Sequence, residues 1–168
     1  MEERIATLIQ AMVEYDHGDA MRIQHFMKVH DFAATIAVLE NIDAPTRFIL
    51  EAAAVVHDIG IHKSEEKYGS SNGHYQEIEG PAEARGLLSR VGGFTDDQIE
   101  RICYLVGHHH TYTKIDGKDY QILVESDFLV NIFEDQLSEE AARHAEEHVF
   151  RTVAGKHLLE EMFFHHRD

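Results

Sequence analysis

The most informative segment of the sequence is Ala52-Ala53-Ala54-Val55-Val56-His57-Asp58-Ile59-Gly60, an apolar run that ends in a histidine, an aspartate and a glycine. The apolar residues predict a buried helix over 45–59, which Gly60 is expected to terminate. Asp58 would then lie in the last turn, where burial and the helix dipole both disfavour a carboxylate. A divalent cation would offset both effects, because imidazole and carboxylate groups bind such ions. The alternative for this dipeptide on its own is an exposed helix end.

Two single residues elsewhere carry the same kinds of side chain within apolar segments. His25 has the spacing that puts it on one helix face with Val29 and Phe32, so it is expected to point into the core. Asp127 lies between the apolar runs 122–124 and 128–130, where a buried unpaired carboxylate would be unfavourable. The sequence therefore predicts that Asp127 faces a cation. The alternatives are a hydrogen-bonded core histidine and an exposed aspartate on an amphipathic helix.

The triplet His108-His109-His110 is a further group of possible ligands. Helical spacing places His109 on the buried face that includes Leu105 and Val106, so His109 is the member expected at the site. His110, just past the expected helix end, can join it. His108 is rotated by about 100° from His109 and is expected to face substrate or solvent. The alternative is a nonspecific surface cluster.

Taken in chain order, these residues resemble the signature of a known family. The order of His25, His57-Asp58, later histidines and Asp127 is similar to that of the HD-domain metal-dependent phosphohydrolases. The resemblance covers residues 22–133, which would form the motif-bearing core. It implies an all-α fold for the chain, a single HD-type domain spanning 1–168 and built as a helical bundle of about seven helices. Residues 138–168 would supply the C-terminal helices.

Hydrophobic periodicity also favours helices, because no segment shows sustained alternation of apolar and polar residues. The expected helices cover 2–15, 19–40, 45–59, 80–91, 95–109, 119–135 and 138–150, with a last one from 154 to the end. Pro81 suits a first helical turn, and Thr95 with Gln98 has the form of a capping box. Segments 61–76 and 111–118 carry Gly, Ser and Asn residues and are expected to be loops beside the site.

The resemblance implies one ion held by four residues: His25, His57, Asp58 and Asp127. A second ion would be held by His109 and His110, with His74 as a third ligand. Bimetallic relatives often carry a histidine four residues before a helix-starting glycine, where this chain has Gln76 before Gly80. That departure leaves the second ion open, with Glu77 and Glu79 as other oxygen ligands. Mixed nitrogen and oxygen ligands suit Mn, Fe, Co, Ni or Zn about equally.

The activity implied by the resemblance is hydrolysis of a small phosphorylated molecule, most often a nucleotide. A bound ion would activate water and stabilise charge on the phosphoryl oxygens. Asp58 would bind the ion and orient the water, and Glu77 would handle protons, with a solvated loop glutamate as its alternative. Lys118-Asp119-Tyr120 lacks the Gly-Tyr-Pro motif of the cyclic-dinucleotide branch. Two other functions stay open: a non-catalytic metal-bound sensor or structural domain, and a di-iron oxygenase.

Charge and composition exclude several other classes. The formal net charge of −16 makes a nucleic acid polymer an unlikely partner, because phosphate backbones bind to basic surfaces. An anionic substrate would need a local positive centre, for which the candidates are Lys28, Lys63, Lys67 and Arg85. No apolar run is long enough for a membrane span, and the first residues do not resemble a signal peptide. With a single cysteine, Cys103, a cytoplasmic protein is expected, and a homo-oligomer stays open.

Overall fold

The computed structural model describes residues 2–164, and this part of the chain contains nine α-helices and no strand. The helices are α1 (Glu3–Tyr15), α2 (Ala20–Leu39), α3 (Ala44–Val56), α4 (Ile61–Tyr68), α5 (Gly73–Val91), α6 (Asp96–Val106), α7 (Lys118–Glu134), α8 (Glu139–His148) and α9 (Val153–Phe163). The all-α class is confirmed, but the expected number of about seven helices is too low. The last four residues of the helix expected from 154 onwards lie outside the described residues. No helix in the described range has both the length and the apolar character that crossing a membrane requires.

Local sequence explains where most of these helices begin. Short polar side chains accept a hydrogen bond from a backbone N–H of the first turn, which satisfies a donor that the helix itself leaves free. These capping residues are Asp19, Asp43, Asn72, Thr95, Ser138 and Thr152. Thr95 and Gln98 form both hydrogen bonds of a capping box, as the sequence predicts.

The prediction of a loop over residues 61–76 is wrong. Most of this segment is helical, because it contains α4 and the first turn of α5, and only a short connection from Gly69 to Asn72 separates them. Gly69 ends α4 in the left-handed conformation, with φ of 64°, which glycine adopts without strain. Asn72 caps α5 by accepting from the backbone N–H of His74. Pro81 therefore lies inside α5 and not in its first turn.

The helices that lead into the site also end earlier than expected. α3 ends at Val56 and α6 at Val106, so the His-Asp pair and the histidine triplet lie in tight turns that follow the helices. Glycine allows the first of these turns to approach α5 closely. A Cβ atom on Gly60 would lie 2.6 Å from the backbone nitrogen of Gly80. The two glycines thus bring the turn after α3 into backbone contact with α5.

Helix α3 is at the centre of the bundle. It packs against α1, α2, α6 and α7, and α2 also packs against α7. The residues of its last turns, 52–56, are fully buried in the hydrophobic core. The turn after α3 therefore emerges from the core at the place where α2, α6 and α7 meet, and the polar residues collect there.

Candidate metal centre

The structure brings together six of the residues predicted from sequence, although they are far apart in the chain. They are His25 on α2, His57 and Asp58 after α3, His109 and His110 after α6, and Asp127 on α7. The Nε2 atom of His25 lies 3.1 Å from Nε2 of His57 and 3.2 Å from Oδ1 of Asp127. The rings of His57 and His109 and the carboxylate of Asp127 are buried. These side chains form a polar cluster within the apolar bundle.

Asp58 lies between two halves of this cluster. Its Oδ2 atom is 3.7 Å from Nε2 of both His25 and His57. Its Oδ1 atom is 2.8 Å from Nε2 of His109 and 3.7 Å from Nε2 of His110. The two oxygens of Asp58 therefore contact different pairs of histidines. In two-metal sites, a carboxylate with this geometry can bridge the two ions.

Three groups of side chains in the described residues have the geometry to hold an ion, with ligand atoms within 4.8 Å of one another: His25, His57 and Asp58; His57, His109 and Asp127; and Asp58, His109 and His110. The groups share members, so they are parts of one cluster. Buried His and Asp groups in this part of the structure could thus hold a metal ion. Its identity is not determined by the ligand types.

Backbone hydrogen bonds fix the orientation of two of the histidine rings. Nδ1–H of His57 donates to the carbonyl oxygen of Ala54, and Nδ1–H of His109 donates to that of Val106, both at 2.8 Å. Because a carbonyl oxygen can only accept, each Nδ1 must carry the hydrogen. Each Nε2 then presents a lone pair to the cluster when the ring is neutral, which is the arrangement of a metal-ligating histidine.

His25 is oriented by a carboxylate instead of a carbonyl. Its Nδ1–H donates to Oε2 of Glu134 at 2.8 Å, and the other oxygen of Glu134 accepts from Lys28. Asp127 is held in turn by Asn131, whose amide donates to Oδ1 at 2.8 Å. Asn131 and Glu134 follow Asp127 on α7 at helical spacing. The helix face that carries Asp127 therefore also carries the residues that orient Asp127 and His25.

The charges at the centre of the cluster require a positive partner. With Nδ1 protonated on His25 and on His57, their Nε2 lone pairs face each other at 3.1 Å beside the carboxylates of Asp58 and Asp127. Burial, the largest effect, disfavours a charged His25, but the hydrogen bond and charge of Asp127 outweigh it and raise the pKa of His25 to about 9. Without a metal ion, a proton is therefore held among these groups. The donor set fits a divalent cation in the same place.

The carboxylates of the cluster stay ionised in spite of burial. Burial acts to raise the pKa of Asp127, but hydrogen bonds from His25 and His57 outweigh it and lower the pKa. Burial likewise acts to raise the pKa of Asp58, but the charge of His57 and the hydrogen bonds that His109 and His110 donate when their rings are protonated outweigh it and hold the pKa well below its usual range. Burial lowers the pKa of His109, which favours its neutral, ligand-competent form.

The three histidines of the triplet have different surroundings. His109 is fully buried against Asp58, and His110 lies at the edge of the cluster. The ring of His108 stacks on Tyr104 with centroids 4.1 Å apart, and its Nδ1–H donates to the Tyr104 carbonyl. His108 is therefore outside the cluster, even though all three histidines lie beyond the end of α6.

The structure does not bring His74 to the cluster. Because α5 starts at Gly73, His74 lies about 200° around the helix axis from Gln76, on the exposed side. Gln76 is the residue that faces the site, with Oε1 3.1 Å from Nε2 of His110. The early start of α5 thus places an amide at this position, and His74 packs beside Tyr75.

Glu77 lies next to the cluster but is engaged by the chain itself. Its carboxylate accepts hydrogen bonds from the backbone N–H of His110 at 3.0 Å and from the hydroxyl of Thr111. It therefore holds the turn that carries His109 and His110. Glu79 accepts from Lys67 and Tyr68 on α4 and is not a member of the cluster.

A cavity of about 180 Å³ opens beside the cluster, and the basic residue that lines it is Arg22. The sequence analysis missed Arg22, although its position one helical turn before His25 was an available signal. The four basic candidates from sequence do not line this cavity. Each of them forms an ion pair, as Arg22 also does with Asp19 and Glu65: Lys28 with Glu134, Lys63 with Glu66, Lys67 with Glu79, and Arg85 with Glu100.

Tyr112, in the loop before α7, is a second residue that the sequence analysis missed. Its ring packs against Phe128, with centroids 5.0 Å apart. Burial, together with the charges of Asp127, Glu77 and Asp58, raises the pKa of the phenol to about 12. Tyr112 therefore keeps its hydroxyl hydrogen at neutral pH, and this group can donate to an anion near the cluster.

Comparisons with protein-family models, with curated proteins and with solved structures gave no match for this chain.

Proposed function

We propose that this protein is a metal-dependent phosphohydrolase of the HD type, acting on a small phosphorylated molecule. The observation that carries the proposal is the convergence of three oriented Nε2 atoms, from His25, His57 and His109, on the carboxylates of Asp58 and Asp127. The residues follow one another in the chain in the order of the HD signature. A nucleotide is the substrate that this resemblance favours.

His25, His57, Asp58 and Asp127 would hold one divalent ion. His109 and His110, with the second oxygen of Asp58, would hold another, and Gln76 supplies the neighbouring polar group in place of a further histidine. Such ions supply Lewis acid chemistry that activates water and stabilises phosphoryl oxygens. The ligand types are compatible with Mn, Fe, Co, Ni or Zn.

The chain's own groups have distinct tasks in this proposal. Asp58 is central, because its two oxygens contact both halves of the cluster and can orient a water molecule between them. Arg22 and the hydroxyl of Tyr112 are available to bind the anionic group. Glu77, whose carboxylate holds the turn after α6, acts as a positioning residue, with proton transfer as a further role.

The proposal is tested by reconstituting the purified protein with Mn²⁺, Co²⁺, Zn²⁺ or Fe²⁺ and measuring phosphate release from a panel of nucleotides and phosphomonoesters. Asp58→Ala should lose most of the bound metal and nearly all turnover. Asp31→Ala is the matched control, because Asp31 is an exposed aspartate on α2. Turnover by Asp58→Ala at the control rate would contradict the proposal.

The other functions give different results in the same experiment. Turnover that requires iron and dioxygen, without phosphate release, would indicate an oxygenase. Loss of folding on chelation, with no turnover of any phosphate, would indicate a structural or sensing role for the ion.

A further inference from the structure

We propose that Arg22 binds the phosphoryl group of the substrate in the cavity beside the metal cluster, that Asp16 and His62 position it, and that the substrate is a phosphomonoester. This inference rests on the proposed function and names the class of substrate. It is based on the cavity, on the hydrogen bonds of Arg22 and on the buried carboxylate of Asp16, whose Oδ2 atom has no hydrogen-bond partner within the described residues.

The cavity connects Arg22 with the cluster. Its lining includes Arg22 together with His25, Asp58 and Asn131. An anion in this space would contact the guanidinium and the candidate metal ligands together. In a chain of net charge −16, a fixed positive group at this place is the kind of local centre that an anionic substrate needs.

The hydrogen bonds of Arg22 leave part of the guanidinium available. Nη1 donates to Nδ1 of His62 and forms an ion pair with Asp19, and Nη2 donates to Glu65. Within the described residues, the Nε–H group has no hydrogen-bond partner, and it lies on the same edge of the guanidinium as Nη2. A phosphate oxygen can therefore accept from Nε–H, and a second oxygen would share Nη2 with Glu65.

The buried carboxylate of Asp16 contacts His62, the partner of Arg22. Asp16 is 1% exposed, its Oδ1 accepts from Nε2–H of His62 at 2.9 Å, and its Oδ2 has no partner within the described residues. Burying a carboxylate with an unpaired oxygen is unfavourable for the fold. Since Nε2 of His62 carries the hydrogen, Nδ1 is free to accept from Arg22. Asp16 therefore fixes the tautomer of His62, and His62 fixes the direction of Arg22.

The cavity and the groove beside it favour a phosphomonoester. The volume of the cavity, about 180 Å³, is below the range of roughly 300–1,000 Å³ of pockets that enclose a whole drug-sized ligand. In this proposal the phosphoryl group lies in the cavity, and a monoester has a single organic part to place outside it. The organic part of the substrate would extend into the adjoining groove, which shares Met21 and Glu134 with the cavity.

The test measures binding of inorganic phosphate by calorimetry, with and without Mn²⁺, together with kcat and KM for phosphomonoesters and diesters. Arg22→Gln should weaken phosphate binding about 10-fold to 100-fold and raise KM, while metal content stays unchanged. Arg143→Gln is the control, because Arg143 pairs with Glu139 on α8, away from the cavity. Equal phosphate affinity in wild type and Arg22→Gln, or equal losses in both arginine variants, would overturn the inference.

The positioning role is tested by two variants of His62. Gln can accept from Arg22 and donate to Asp16, so His62→Gln should largely retain phosphate affinity, whereas His62→Leu should raise KM with little change in kcat. Equal behaviour of the two variants would overturn the role of His62.

Faster turnover of diesters than of monoesters would overturn the substrate class. A wild-type protein that binds none of Mn²⁺, Co²⁺, Zn²⁺ and Fe²⁺ contradicts the proposed function instead, and the titration without metal then still decides whether Arg22 binds phosphate.

Discussion

At the scale of single residues, the site is defined by which histidine nitrogen faces the cluster. In His57 and His109 the Nδ1–H group donates to a backbone carbonyl three residues earlier, so the turn itself sets the ring. Sequence spacing could predict that His25 and His109 point inward, because both follow apolar helical faces. It could not predict the role of Gln76, since this depends on where α5 starts. It indicated the position of Arg22 on the helix, but not the contacts of Arg22 with His62 and Glu65 on α4.

The histidine triplet gives a direct test of these orientations. His109→Ala should reduce bound metal or activity sharply, because its Nε2 is 2.8 Å from Asp58 and its ring is fully buried. His110→Ala should have a smaller effect, and His108→Ala should leave metal content intact, because the His108 ring stacks on Tyr104. Metal content of purified protein measures this, with circular dichroism as the folding control. Equal losses in all three variants would contradict this division.

Metal affinity should depend on pH through His25. Its pKa of about 9 lies above the ordinary value of 6.5, so its proton stabilises the metal-free fold fully below pH 6.5, and this stabilisation is lost as the pH rises through 9. A metal ion must displace the same proton, so Mn²⁺ affinity should rise with pH, by about tenfold per unit at most, and level off above pH 9. Calorimetry across pH 6.5–9.5 measures this. A flat profile in the wild type would show that His25 is not a ligand.

At the scale of elements, apolar periodicity located most of the helices, but their ends depend on tertiary contacts. Segment 61–76 looks like a loop because of its Gly, Ser and Asn residues, yet most of it is helical. Asn72 caps α5, which starts at Gly73, seven residues before the expected start at Gly80, and Pro81 is accommodated inside the helix. Composition indicates polarity here but cannot show that α4 packs on α5 and that α5 packs on α1 and α6.

Gly60 should be required for the contact between the turn after α3 and α5. In Gly60→Ala the new Cβ would lie 2.6 Å from the Gly80 backbone nitrogen, which cannot rotate away. The variant should lose about 1–3 kcal/mol of stability and part of its metal affinity. Gly86→Ala is the matched control, because nothing lies within 4 Å of its Cβ, and it should be neutral or slightly stabilising. Denaturant unfolding measures both, and equal stability in the two variants would contradict the account.

At the scale of the whole molecule, the cluster joins α2 and α7 to the turns that follow α3 and α6. All-α architecture was predictable from the sequence, because no segment alternates and the apolar runs have helical spacing. A bound ion should therefore link elements from distant parts of the chain. Helix α3 packs against α2, α6 and α7, so these four helices would then unfold together.

Metal binding should accordingly stabilise the fold. At a free Mn²⁺ concentration of about 100 times Kd, the free energy of unfolding should increase by roughly 2.7 kcal/mol. Asp127→Asn should abolish the increase, because Asp127 contributes the ligand oxygen from α7. Thermal unfolding with Mn²⁺ and with a chelator measures this, and Asp31→Asn is an exposed control on α2. An identical increase in Asp127→Asn would place the ion elsewhere.

The most direct test of the central claim is a crystal structure of the Mn²⁺-loaded protein with anomalous diffraction data. We expect an anomalous peak within about 2.0–2.6 Å of ligand atoms from His25, His57, Asp58 and Asp127. A second peak between Asp58, His109 and His110 would establish the two-ion form. A fully loaded crystal with no peak among these side chains, or with a peak only at the protein surface, would contradict the account.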